Sequence, residues 1–147
     1  MKIAISRVDG GVSVMTLLDP DATSDNEVEK WKLTHPGEYL SHAEGGEDAI
    51  PSDRTFRNAW RLSGGVIDHD IDKAKSIQRD RIRAARAPLL SSLDVAYDKA
   101  DEQGDTVAKQ GIATRKQALR DAPADPAIDA SETVDELKAV WPEALTG

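Results

Sequence analysis

The chain has 147 residues, the size of one average domain or of a small domain with an appended helical element. Its formal net charge of −8 argues against nonspecific nucleic-acid binding, and the absence of cysteine excludes disulfides and thiolate metal sites. No apolar run approaches the ~18 residues of a membrane span, and no signal-peptide cleavage site follows Met1. We therefore expect a soluble protein that folds in a cytosol.

The first segments predict a β-hairpin with one added strand. Lys2–Val8 and Val12–Leu18 alternate β-branched and small residues, and the glycines of Asp9–Gly11 supply the positive φ that hairpin turns need. A short strand over Glu38–His42 is expected to join the hairpin. Because an isolated hairpin is marginal in water, a helix must cover it.

That helix is predicted between the strands. Ser24 and Glu27 have the spacing of a capping box, Val28 and Trp31 follow at i, i+3, and Pro36 stops the helix.

Next, Asp53 is expected to cap a short helix that carries Phe56 and Trp60 on one face. The main interpretation of the two aromatic residues is a core plug, and the alternative is a hot spot for a partner. Gly64-Gly65 is expected to end a small α+β domain over residues 1–65.

A long helix over about 70–102 is the most regular element. Asp70 is a good N-cap, and the helix dipole favours the negative charge of Asp72 in the first turn. Pro88 removes one backbone hydrogen bond, which predicts a kink there in a helix about 50 Å long. The predicted inner stripe comprises Ile71, Ala74, Gln78, Ile82, Ala85, Leu89, Leu93, Ala96 and Ala100.

The chain then folds back. Gly104 suits the left-handed position after a helix, and Asp105 caps a second helix over about 106–120. Residues 66–122 are therefore predicted as an elongated αα-hairpin. Residues 123–147 are predicted as a C-terminal region with a proline-containing linker and a short helix. The linker, Asp121–Ala130, is expected to be extended, and Thr133 is expected to cap the helix. This helix is predicted to carry Val134, Leu137 and Trp141 on one face, so it must dock on the hairpin or on another chain.

The run Lys73–Arg86 holds six basic residues and one acid, Asp80. The main interpretation is a solvated face. The alternative is a docking face for an acidic partner or for the chain's own acidic tail. Nucleic acid is disfavoured because no aromatic residues are interleaved to stack bases.

Familiar catalytic and metal-binding patterns do not fit. Asp68, Asp70 and Asp72 have the first spacing of an EF-hand loop, but Lys73 replaces its glycine and Arg79 its final glutamate. The three histidines lack zinc-site spacing, and no phosphate-binding or nucleophile motif occurs. We predict no enzyme activity, no catalytic residue, no cofactor and no metal.

Five stretches resemble a group of small proteins of tailed bacteriophages and prophages. They are DRTFRNAW (53–60), DIDKAKSIQRDRIRAAR (70–86), LDVAYDKADEQGD (93–105), QALRDAPADP (117–126) and VDELKAVWPEAL (134–145). The resemblance covers roughly residues 50–145. The C-terminal end is also similar to tail-fibre assembly proteins, which pair a small N-terminal domain with a helical region.

This resemblance implies a tail-fibre-associated protein, either an assembly chaperone or a fibre-bound virion component. Its partner would be a fibre or other virion protein, or a second copy of the chain, with no membrane or nucleic acid. It would act in the bacterial host cytoplasm during assembly, or in the virion tail. The alternatives are a structural head or tail protein and an acidic inhibitor of a host nuclease.

Nine residues are predicted to contact the partner. They are Phe56, Trp60, Arg79, Arg83, Arg86, Leu89, Leu93, Leu137 and Trp141.

Overall fold

The computed structural model describes residues 1–146 and has the predicted α+β organisation. Its contacts divide the chain into two compact units, Met1–Ala74 and a second that starts at Lys75. The five strands described all lie in the first unit, and the second unit is helical.

A three-stranded antiparallel sheet organises the first unit. The strands are β1 (Lys2–Arg7), β2 (Val12–Thr16) and β3 (Tyr39–Gly45), in the order β2-β1-β3. The predicted hairpin and its added strand are therefore confirmed. Because side chains alternate along β1, Ile3 and Ile5 pack with Val28 on one face, and Ala4 joins a second cluster with Trp60.

Helix α1 (Ser24–Thr34) begins one residue earlier than its predicted cap implied. The N-cap is Thr23, whose hydroxyl accepts from the backbone N–H of Asn26 at 3.4 Å. The hydroxyl of Ser24 is buried and donates to the Glu44 carboxylate instead. The predicted capping box is therefore wrong, because Ser24 is drawn inward by the neighbouring strand.

The short helix predicted after Asp53 is only a single 3₁₀ turn, and Trp60 lies in a hairpin strand and not on a helix face. The Asp53 carboxylate accepts from the backbone N–H of Thr55, a 3₁₀ turn follows at Arg57–Ala59, and Trp60 opens β4. Strand β4 (Trp60–Ser63) pairs with β5 (Val66–His69). Gly64 and Gly65 have φ of +57° and +80°, as a two-residue hairpin turn requires.

Phe56 and Trp60 nevertheless belong to the core, as the main interpretation held. They are 3% and 1% exposed. A further 3₁₀ turn spans Glu47–Ala49.

Helix α2 (Ile71–Glu102) is continuous through Pro88, which is exposed. Asp70 is its cap, as predicted: the carboxylate accepts from the backbone N–H groups of Asp72 and Lys73 at 3.1 and 3.2 Å. Every position of the predicted stripe is buried or partly buried. The 3.6-residue period thus identified the inner face of this helix correctly.

Helix α3 (Thr106–Asp121) runs antiparallel to α2, which confirms the αα-hairpin. The Asp105 carboxylate caps it, and Gly104 has a φ of +68°. Contact pairs fall in reverse order along the two helices. They are Asp101 with Lys109, Asp94 with Lys116, and Arg86 with the backbone carbonyl of Leu119.

The predicted extended linker is wrong. A 3₁₀ turn at Ala122–Ala124 leads into the short helix α4 (Pro126–Ala130), whose Ile128 is fully buried. The Asp125 carboxylate accepts from the N–H of Ala127 at 2.9 Å. An Asp cap followed by proline at the first helical position is a helix start.

Helix α5 (Val134–Ala139) has the predicted cap, since the Thr133 hydroxyl accepts from the N–H of Glu136 at 3.2 Å. Leu137 is fully buried. Trp141 lies beyond the end of this helix and not on its face, which corrects the prediction. A last 3₁₀ turn spans Glu143–Leu145.

Candidate protein-binding site

The second unit carries a half-exposed aromatic surface built on a buried amide. We call it the Trp141 platform, and it consists of Gln78, Arg81, Val140 and Trp141. Gln78 on α2 is 0% exposed, and its Nε2 donates to the Val140 carbonyl at 2.8 Å. Arg81, one turn further along, donates from Nη1 to the Gln78 Oε1 at 2.7 Å. The chain after α5 is thereby bound to α2.

The buried amide of Gln78 has a defined orientation. Its oxygen faces an arginine, which only donates, and its nitrogen faces a carbonyl, which only accepts. A buried amide without such partners costs free energy, so both contacts favour this arrangement over others. Among the otherwise apolar positions of the stripe, Gln78 therefore provides a specific polar contact between α2 and the backbone at Val140.

Arg81 and Trp141 form the outer part of the platform. The Arg81 guanidinium carbon lies 5.8 Å from the centroid of the Trp141 ring, within the range of a cation–π contact. The Trp141 side chain is 40% exposed. Tryptophan and arginine are the residue types most enriched at binding hot spots, so this surface has the chemistry of a protein contact.

Part of the basic run binds the C-terminal segment. Lys75 Nζ donates to the backbone carbonyl of Asp129 at 2.8 Å, and Arg79 pairs with the Asp129 carboxylate at 2.5 Å. The second interpretation of the run, a docking face for the chain's own acidic tail, therefore holds for these two residues.

Arg86 also has a structural contact. Its guanidinium donates to the backbone carbonyls of Leu119 and Arg120 at 3.2 and 2.7 Å. These carbonyls lie in the last turn of α3, where carbonyls lack partners within the helix. Arg86 thus supplies hydrogen-bond donors to the terminal carbonyls of α3. The exposed Arg83 pairs with Asp80 within α2.

Four of the nine predicted contact residues are buried in the fold. Phe56 and Trp60 are in the core of the first unit, and Leu93 and Leu137 are buried in the second. They cannot reach a partner in this folded state, because the apolar character that suggested a contact is satisfied within the chain. Arg79, Arg86 and Leu89 are partly buried, and Arg83 and Trp141 are exposed.

Three residues that hold the C-terminal segment or the Trp141 platform in place were not among the predicted contacts. Gln78 was identified only as a stripe member, Arg81 only as one charge of the basic run, and Asp129 fell in the predicted linker. A glutamine at a buried stripe position was the available signal, since a buried amide requires partners.

A second aromatic residue of this unit is flanked by two lysines. The Nζ atoms of Lys109 and Lys116 lie 5.3 and 5.4 Å from the centroid of the Tyr97 ring. The hydrogen bond to Asp101 raises the pKa of the Lys109 ammonium. These contacts join α2 to α3 and account for both lysines without a partner molecule.

The aspartates of the rejected EF-hand pattern have other uses. The backbone N–H of His69 and the Arg61 side chain hydrogen-bond to the Asp68 carboxylate at 2.7 and 3.1 Å, which lowers its pKa. Asp70 caps α2. Within residues 1–146 no three acids or histidines are grouped as metal ligands. The helices of this range contain no uncharged apolar stretch of membrane-spanning length.

Comparison of the chain with protein-family models, with curated proteins and with solved structures finds no match.

Proposed function

We propose that the chain is a non-enzymatic bacteriophage protein that binds a tail-fibre protein, either as an assembly chaperone or as a fibre-bound component of the virion. The Trp141 platform is the observation that carries this proposal. It offers a half-exposed indole on a fixed support. The phage origin and the fibre partner are supported by the sequence resemblance over residues 50–145.

The platform suits binding because its groups are already ordered. Gln78 fixes the backbone next to Trp141, and Arg81 lies over the ring, so few rotamers are lost when a partner arrives. Burying the rest of the indole against an apolar fibre surface provides the main gain in free energy. A chaperone would shield that fibre surface until the fibre assembles, and a virion component would remain on it.

Co-purification tests the proposal. The chain is co-expressed with a tail-fibre protein from the same genome, and a tag on the fibre protein is used for capture. We expect the chain in stoichiometric amount, and the Trp141→Ala variant in strongly reduced amount. Trp31→Ala is the matched control, since Trp31 lies in the first unit, stacked on His35.

If the chain and the fibre protein purify as unassociated species, the proposal is wrong. Mass spectrometry of purified particles then separates its two forms. Stoichiometric presence in the particle indicates a virion component, and absence indicates a chaperone that acts in the host cytoplasm and is released.

A further inference from the structure

The first unit contains a cleft of about 460 Å³ beside the turn that joins β1 to β2. We call it the β1–β2 cleft. Its polar side chains are those of Arg7, Asp9, Ser13, Arg57, Asn58 and Lys73. Three cations therefore face one carboxylate, although the chain as a whole has a formal net charge of −8.

Glycines in the turn allow the cations to approach the backbone. A Cβ atom on Gly11 would lie 2.2 Å from the Arg7 Nη2, and one on Gly10 would lie 3.2 Å from the Lys73 Nζ. Gly10 also has a φ of +82°, which other residues rarely adopt. The turn thus holds two positive groups against exposed peptide backbone.

The positive charge of the cleft is only partly balanced. Arg7 pairs with Asp9 at 3.2 Å, but its Nε is buried and has no hydrogen-bond partner. Arg57 and Lys73 form no ion pair with any residue in the described range 1–146. An anion in the cleft would balance the excess positive charge and accept hydrogen bonds from the exposed guanidinium and ammonium groups.

We propose that the β1–β2 cleft binds a phosphomonoester through Arg7, Arg57 and Lys73. A phosphomonoester carries a charge of about −1.5 to −2 at neutral pH, which matches the excess of two positive charges, and its oxygens accept several hydrogen bonds. Ser13 and Asn58 add neutral donors at the same cleft. The volume is within the range of small-molecule sites. This site is independent of fibre binding.

Nuclear magnetic resonance of the full, isotope-labelled chain tests the proposal with inorganic phosphate as probe. We expect saturable shifts of the backbone amides of Gly10, Gly11, Ser13 and Asn58. Acetate at equal ionic strength should bind at least about tenfold more weakly, because it has one charge and two oxygens. Glycerol phosphate and adenosine monophosphate then show which ester group the cleft prefers.

Arg57→Gln and Lys73→Gln should each lower the phosphate affinity by about tenfold or more. Both residues are exposed, so the variants should fold, which circular dichroism checks. Arg54→Gln is the control, since Arg54 is an exposed arginine of the same unit outside this cleft. The proposal is overturned if phosphate gives no saturable shift, if acetate binds equally well, or if Arg54→Gln weakens binding as much.

Discussion

The buried amide of Gln78 fixes a backbone carbonyl that lies 62 positions further along the chain. Its two hydrogen bonds are both intramolecular, and one of them is charge-assisted by the Arg81 guanidinium. Removing the amide would leave the Val140 carbonyl without its donor in a part-buried place. The stability of the second unit should therefore depend on this one polar side chain.

We expect Gln78→Leu to lower the free energy of unfolding by about 1–3 kcal/mol, the cost of an unsatisfied buried polar group. Urea denaturation measures the change. Gln110→Leu, on the exposed side of α3, is the control and should stay within about 0.5 kcal/mol of the unmodified chain. A Gln78→Leu protein as stable as the unmodified chain would show that the hydrogen bonds do not fasten this segment.

Asp68 gives a prediction about pH. The backbone N–H of His69 and, after it, the Arg61 side chain lower the pKa of the Asp68 carboxyl. Because the folded pKa is the lower one, the stabilisation is complete above the unfolded pKa of about 3.9 and is lost as the pH falls through the folded value. Since the pair is half exposed, the contribution is below about 1 kcal/mol.

Asp68→Asn should therefore be slightly less stable than the unmodified chain at neutral pH. The difference should shrink as the pH falls below about 4, because the carboxyl of the unmodified chain is then increasingly protonated. Urea denaturation of both proteins across this pH range measures it. A difference that grows in acid would contradict the assignment.

At the scale of elements, the long helix α2 contains a destabilising residue, Pro88. Pro88 lies in its interior, where a proline lacks one backbone hydrogen bond and crowds the carbonyl of Ala84. Both residues are exposed, so the ring fills no space in the core. The proline therefore costs stability without a visible packing gain.

We expect Pro88→Ala to raise the free energy of unfolding by about 1–3 kcal/mol, below the full penalty of a mid-helix proline because the native helix has already adapted. Thermal unfolding followed by circular dichroism measures it. Pro20→Ala, in the loop before α1, is the matched control and should give no gain, since a loop proline restricts the unfolded chain. A less stable Pro88→Ala protein would mean that packing requires the proline.

The sequence predicted helix bounds well where a capping residue and the 3.6-residue apolar period indicated the same start or end. The bounds of α2 and α3 follow from Asp70, Gly104 and Asp105 together with the 3.6-residue stripe. Strand β4 was missed because Phe56 and Trp60 also fit a helical i, i+4 pair. Helix α4 was missed because two prolines in ten residues favoured an extended linker.

At the scale of the whole molecule, the exposure of the candidate contact residues was harder to predict than the fold. Residue type alone selected Trp141 but also four apolar residues that the chain buries. The contacts among Gln78, Arg81 and Val140 depend on where a distant segment packs, which no local pattern contains. Burial therefore decides which predicted contact residues can reach a partner. Of the three aromatic residues among the nine, Trp141 alone is exposed.

We propose that Trp141 contacts a tail-fibre protein. The direct test is the dissociation constant between the chain and that fibre protein, measured by isothermal titration calorimetry for the unmodified chain, Trp141→Ala and the control Trp31→Ala. We predict that Trp141→Ala loses about 2 kcal/mol, roughly 30-fold in affinity, while Trp31→Ala binds normally. Unchanged affinity of a correctly folded Trp141→Ala protein would contradict the claim.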